Sequence, residues 1–201
     1  MTKKEIREKI DEETLRKTCE RFKEIEGIAS YYDVALEIVD TYPLQASIII
    51  LAVWNTPRFR YMASDTQNLF ELQKAIKDCE PFFGMVKGRN LKAGFDEIGD
   101  TVRKIYSTLS KVKGVEYTGA SKVMHLLNRE LFVMWDTYIR DDLGYGTTDE
   151  DYLNFLKEMH KRFQNLEWSM PNKTLAKAID EYNQVTITFP IREKEKRKVR
   201  L

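Results

Sequence analysis

The fold is decided by residues 112–140, which read VKGVEYTGASKVMHLLNRELFVMWDTYIR. Up to Val112, apolar residues recur at intervals of three and four, which predicts an amphipathic helix ending near Lys113-Gly114. The same period returns after Gly119, in Ala120, Val123, Met124 and Leu127. Two helices therefore flank a tight connection between two glycines, and the sequence predicts a helix–hairpin–helix.

The rest of the chain is also predicted to be helical. Apolar residues keep the helical period through most of the sequence, so we predict an all-α protein of about ten helices. The first is expected over residues 3–25, and another from Ser64 to about Asp78. Residues 185–189 have strand composition without a partner strand, which predicts an extended packing segment. The basic tail, residues 192–200, is expected to be a solvated, frayed end, with a secondary contact to DNA phosphates as the alternative.

Composition narrows the classes of protein. Of 201 residues, 42% are hydrophobic and 32% are charged, which is typical of a soluble globular protein. No apolar run approaches the roughly 18 to 20 residues that span a membrane, and the start has no apolar signal region. We expect a cytoplasmic protein. Cys19 and Cys79 are too few for a disulfide framework or a four-cysteine metal site, so we predict no metal and no cofactor.

The central stretch resembles the helix-hairpin-helix DNA glycosylases (HhH-GPD), the superfamily of endonuclease III and the 8-oxoguanine glycosylases. Their pattern is roughly L-P-G-V-G-x-K-T-A-x-x-V-L, then V-D-T-H-V-x-R; this chain has V-K-G-V-E-Y-T-G-A-S-K-V-M, then F-V-M-W-D-T-Y-I-R. Gly114 lies 22 residues before Asp136, the spacing found in endonuclease III. The two cysteines exclude the iron–sulfur cluster that some relatives carry.

The resemblance implies a function. Such enzymes extrude a damaged or mismatched base from duplex DNA and cleave its glycosidic bond, using a carboxylate to stabilise the positive charge on the sugar or to activate water. Asp136 is the candidate; its alternative role is to cap the helix that follows. The implied DNA contacts are Lys113, Gly114, Val115, Gly119, Trp54 and Asn55. The implied base pocket contains Thr118, Trp135 and Tyr138.

The resemblance also implies an architecture. Residues 43–127 would form a central lobe, and residues 1–42 would join 128–201 in a second lobe, with the base entering a cleft between them. The expected partner is double-stranded DNA containing a lesion or mismatch, bound by a monomer.

Two residues depart from the family pattern. Glu116 replaces the second hairpin glycine, and Thr118 stands where bifunctional members carry their nucleophilic lysine. Schiff-base chemistry needs an amine, so Thr118 predicts a monofunctional glycosylase. Lys122 lies one helical turn further on and keeps a lyase step open, with an ordinary solvated lysine as the alternative.

The net charge of +1 leaves other functions open. Residues 191–201 carry six basic and two acidic side chains, so the remainder has a net charge of −3. DNA binding then requires a local basic face, which we predict around the hairpin from Lys87, Arg89, Lys92, Lys111, Lys113 and Lys122. The alternatives are a non-catalytic helix-hairpin-helix DNA-binding module, expected if Asp136 only caps its helix and no pocket exists, and a helical protein-interaction adaptor.

Overall fold

The computed structural model describes residues 10–26 and 30–199, and this part of the chain is all-α, as predicted. Its α-helices are α1 Glu12–Glu26, α2 Ser30–Ile38, α3 Pro43–Trp54, α4 Thr56–Ala63, α5 Thr66–Met85, α6 Gly99–Ser110, α7 Glu116–Leu127, α8 Thr137–Leu143, α9 Asp149–Phe163, α10 Leu175–Asn183 and α11 Phe189–Val199. A 3₁₀ turn covers Leu91–Ala93 and a π-helix covers Gln184–Thr188. Residues 3–9 of the first predicted helix lie outside the described residues.

One continuous apolar cluster runs through the described residues. It joins Leu15 in α1 and Leu51 in α3 to Ile179 in α10. The cluster also contains the ring stack of Tyr106 and Tyr152, whose centroids are 4.6 Å apart. Because this core includes residues of both predicted lobes, it does not separate them, and the division into lobes with a cleft between them stays a prediction.

Helix α5 is longer than the sequence predicts. Asp65 is its N-cap, accepting a hydrogen bond from the amide of Gln67, and the helix continues through Pro81 to Met85 instead of ending near Asp78. Proline removes one helical hydrogen bond, but Pro81 lies on the solvent-exposed side, where water can satisfy the released carbonyl group. The predicted end of this helix near Asp78 is therefore wrong.

The segment after α10 is also helical. The extended segment predicted for residues 185–189 is wrong, because Gln184–Thr188 form a π-helix that leads directly into α11. The β-branched residues of this segment favour a strand locally, but Ile187 and Thr188 are buried in the helical assembly and no neighbouring strand exists among the described residues. The predicted frayed tail is a helix as far as Val199.

A buried histidine ties α7 to α2. His125 is 0% exposed, its Nδ1 lies 2.6 Å from the carbonyl oxygen of Phe132, and its Nε2 lies 2.8 Å from the hydroxyl of Tyr32. This network fits a neutral ring that donates from Nδ1 and accepts at Nε2. Burial lowers the pKa of His125 to about 3.

We expect this histidine to make the fold acid-sensitive. The unfolded chain takes up a proton at about pH 6.5 but the folded chain only near pH 3, so between these values the unfolded state binds more protons and stability falls as the pH drops. By pH 4.5 the loss is about 3 kcal/mol. Urea unfolding of the wild type and His125→Gln at pH 7 and pH 4.5 checks this. If the free energy of unfolding falls by the same amount in both proteins between pH 7 and pH 4.5, the prediction is wrong.

Candidate functional site

The predicted hairpin is present between α6 and α7. Gly114 has φ +86°, and a Cβ at this position would lie 2.8 Å from the backbone nitrogen of Met62 in α4. The amide of Asn55 donates to the carbonyl groups of Gly114 and Val115, at 3.1 and 3.2 Å. The hairpin is thus fixed against α3 and α4, in a conformation and at a packing distance that only glycine fits at its first position.

Glu116, which stands where the resemblance places a second glycine, has a left-handed backbone. Its φ is +52°, and its carboxylate lies 2.8 Å from the guanidinium of Arg58. The hairpin therefore keeps a left-handed backbone at this position without a glycine, and a negative charge stands where the resemblance places a DNA phosphate.

Glu116→Gly is expected to tighten binding to duplex DNA about three- to tenfold at low salt, because it removes a charge that repels phosphate. Glycine also relieves the left-handed backbone. Titration of a labelled duplex by fluorescence anisotropy measures the change. Glu116→Gln removes the charge and keeps a side chain, so it should recover most of the gain. Unchanged affinity in both variants would remove the hairpin from the DNA interface.

Both carboxylate oxygens of Asp136 accept hydrogen bonds. Oδ1 accepts the amide of Ile139 at 2.8 Å, which caps α8. Oδ2 accepts the hydroxyl of Thr188 at 2.9 Å and the amide of Gln184 at 3.3 Å, both from the π-helix. The carboxylate is 8% exposed and still lines a cavity. Capping is thus one of its roles, and the cavity leaves room for a second.

Lys122 is buried in the same cavity. Its side chain is 5% exposed, and within residues 10–26 and 30–199 its amine makes no hydrogen bond or salt bridge. Burial lowers the pKa of Lys122 to about 8, against the opposing charges of Asp136 and Asp180. The alternative of an ordinary solvated lysine is therefore wrong, and roughly a fifth of this amine is neutral at about pH 7.4, against about a thousandth for an unperturbed lysine.

The cavity that contains Asp136 and Lys122 has a volume of about 340 Å³. Trp54 lines it; the indole donates to Glu26 at 2.9 Å and stacks on Tyr32 with a centroid distance of 5.5 Å. Behind the indole, the amine of Lys177 lies 4.7 Å from the ring centroid. Trp54 is thus held as a wall of the cavity rather than projecting freely from the surface.

A groove of about 640 Å³ adjoins this cavity and shares Trp54, Asp136 and Arg192 with it. Thr118 and Tyr138 line the groove and not the cavity. The hydroxyl of Tyr138 donates to Glu195 at 2.8 Å. The resemblance places both residues in the base pocket, whereas the structure places them outside the space that contains Lys122.

Four of the residues that the resemblance assigns to DNA contacts or to the base pocket are buried in the protein. Trp135 is 0% exposed and packs among Tyr106, Tyr152 and Phe155, so its assignment to a base pocket is wrong. Asn55, Val115 and Gly119 are buried and fix the hairpin to α3, so the side chains of Asn55 and Val115 are not DNA contacts; a Cβ on Gly119 would lie 2.8 Å from Leu51. Lys113 is exposed beside the hairpin.

The predicted basic face does not form as one surface. Lys122 is buried. Arg89 pairs with Glu97, and Lys87 lies beside Asn128 at the C-terminal end of α7, about 18 Å along the helix from the hairpin. These cations are close to the hairpin in the sequence, but α7 separates them from the hairpin in space.

Sequence reasoning missed the residues that α10 and the π-helix bring to the cavity. Asp180, Gln184 and Thr188 surround the two candidate catalytic groups, and Arg192 lies at the start of α11. The β-branched composition of residues 185–189 concealed the π-helix, a type of local distortion that is frequent at functional sites.

Fold and site together define an all-α helix-hairpin-helix protein with a buried carboxylate and a buried amine in one cavity. The chain matches no family model, no curated protein and no solved structure. None of the described residues forms a group of three or more His, Cys, Asp or Glu side chains that could hold a metal. No described helix is long and apolar enough to cross a membrane.

Proposed function

We propose that this protein is a DNA glycosylase with an associated lyase step, in which Lys122 is the nucleophile and Asp136 the electrostatic partner. The observation that carries this proposal is the cavity itself, in which an unpaired buried amine and a fixed carboxylate face the same space. The lyase step goes beyond the monofunctional enzyme predicted from Thr118, because the buried amine stands one helical turn away.

The reaction follows from these two groups. The neutral amine of Lys122 attacks C1′ of the extruded nucleotide, and the bond from C1′ to the base breaks with its electron pair leaving on the base, which takes up a proton. Asp136 stabilises the positive charge that develops on the sugar. The nitrogen then loses a proton, and its lone pair forms the double bond to C1′ as the C1′–O4′ bond breaks. O4′ keeps the electron pair of that bond and takes up a proton, which gives an open-chain protonated Schiff base. Loss of the C2′ proton then expels the 3′ phosphate, and water hydrolyses the imine and frees Lys122.

The surroundings of Lys122 suit this role. A nucleophilic lysine must lose its proton before it attacks, and desolvation increases the neutral fraction of Lys122 at neutral pH. The volume of about 340 Å³ is within the usual range for small-molecule pockets and is sufficient for one nucleobase. The hydrogen bonds from Thr188 and Gln184 hold the carboxylate in place without neutralising it.

The other classes of function explain less. In a DNA-binding module, Asp136 would be needed only as a helix cap. The module does not explain why the amine of Lys122 is buried beside it without a hydrogen bond or salt bridge among the described residues. A buried, partly charged lysine costs stability, so a protein-interaction adaptor would be more stable with an apolar residue there.

The test incubates the purified chain with duplexes that each carry one lesion or mismatch, and with one carrying an abasic site. Alkali reveals base excision, and borohydride traps a Schiff base between enzyme and DNA. The proposal expects alkali-labile sites with at least one lesion and a trapped adduct with the abasic duplex. If the chain binds duplex DNA but forms neither product, the result supports the non-catalytic DNA-binding module. If it forms no product and does not bind duplex DNA, then DNA is not its substrate.

A further inference from the structure

The C-terminal helix α11 forms one side of the groove that leads to the cavity. Ile191, Arg192 and Glu195 line the groove. Spaced by one and three residues, they lie on one side of the helix. The guanidinium of Arg192 is 5.6 Å from the ring centroid of Tyr138, whose hydroxyl bonds to Glu195. Because these contacts dock α11 on α8, its position beside the groove is defined.

The remaining surface of α11 is strongly basic. Lys194, Lys196 and Lys198 are exposed and make no salt bridge within the described residues. The two acidic residues of the helix are engaged, since Glu193 lies 3.9 Å from Arg197 and Glu195 accepts from Tyr138. With the remainder of the chain at a net charge of −3, the positive charge of this protein is concentrated here.

The hairpin region also lines the groove, through Arg58 of α4 and Thr118. Helix α8 contacts both parts of the lining, since Thr137 lies 3.4 Å from the hydroxyl of Tyr117 and Tyr138 donates to Glu195, and Asp136 lines both groove and cavity. A DNA strand that follows the groove with one nucleotide extruded into the cavity would therefore pass both the hairpin and α11. Asp141 also lines the groove, but its carboxylate is paired with Arg140 at 2.6 Å.

From this arrangement we infer that α11 binds the phosphate backbone of duplex DNA beside the extruded nucleotide. Its 11 residues are about 16 Å long, which is the axial rise of four to five phosphates of one strand. Lys194 and Lys198 lie one turn apart on the same flank and are the principal contacts. This inference rests on the proposed function.

The test measures the affinity of the full chain for a duplex with a tetrahydrofuran abasic analogue, by fluorescence anisotropy from 50 to 300 mM KCl. Each phosphate contact contributes about 0.9 to the slope of log K against log salt. Lys194→Gln/Lys198→Gln is expected to lower the slope by about 1.8 and to weaken binding at least about tenfold at 100 mM. Lys74→Gln/Lys77→Gln is the matched control, since α5 lines neither groove nor cavity.

The adduct trapped by borohydride on a true abasic site separates the two proposals. The Lys194/Lys198 variant should need at least about tenfold more duplex than the wild type to reach half of its maximal rate of adduct formation, whereas the Lys74/Lys77 control should need the same amount as the wild type. A wild type that forms adduct while the Lys194/Lys198 variant keeps the wild-type salt slope, or changes no more than the control, overturns the role of α11 alone. So does equal affinity of the wild type for polyglutamate. A wild type that neither binds duplex nor forms adduct overturns both.

Discussion

Replacing Lys122 with methionine is expected to abolish the adduct trapped by borohydride, with a loss of at least about 1,000-fold, because no other lysine of residues 10–26 and 30–199 lines the cavity. The wild-type rate of adduct formation should rise with pH to a midpoint of about 8, since only the neutral amine reacts. Single-turnover trapping on an abasic duplex from pH 6 to pH 9.5 measures both effects.

The same variant should be more stable than the wild type. Methionine is similar in length and carries no charge, so at pH 7 we expect a gain of about 2 kcal/mol. Between pH 8 and 10.5 the unfolded wild type binds more protons than the folded one, so raising the pH stabilises the wild type and narrows the gap. Lys113→Met is the control, because Lys113 is exposed. Adduct formation by a folded Lys122→Met protein would remove Lys122 from the chemistry.

Asp136→Asn should lower base excision about 1,000-fold while leaving the fold intact. Asparagine is also a good N-cap, so α8 keeps its start, but the charge that stabilises the developing positive sugar is lost. The alkali assay on a lesion that the wild type excises measures the first effect, and thermal unfolding the second.

Two comparisons make this result specific. On an abasic duplex no glycosidic bond has to break, so the variant should still form adduct within about tenfold of the wild type. Asp78→Asn changes an exposed carboxylate on α5, which lines neither groove nor cavity, and should excise at the wild-type rate. If Asp136→Asn excised as well as Asp78→Asn, Asp136 would be a helix cap and nothing more.

Local patterns in the sequence predicted much of this protein. The helical period gave the all-α class, and Gly114 marked the hairpin because its positive φ leaves little choice of residue. The resemblance to the glycosylase pattern made Asp136 a candidate, and the structure places this residue in the lining of a cavity. These features depend on neighbours in the chain, which is why sequence reasoning reached them.

Tertiary structure decided the composition of the candidate site. Packing of α7 against its neighbours buried Lys122, while Trp135 went into the core although it immediately precedes Asp136. The π-helix, which brings Thr188 and Gln184 to Asp136, arises in a segment whose own composition favours a strand. Burial, pKa and distances between residues far apart in the chain depend on how the helices pack, and no local pattern records this.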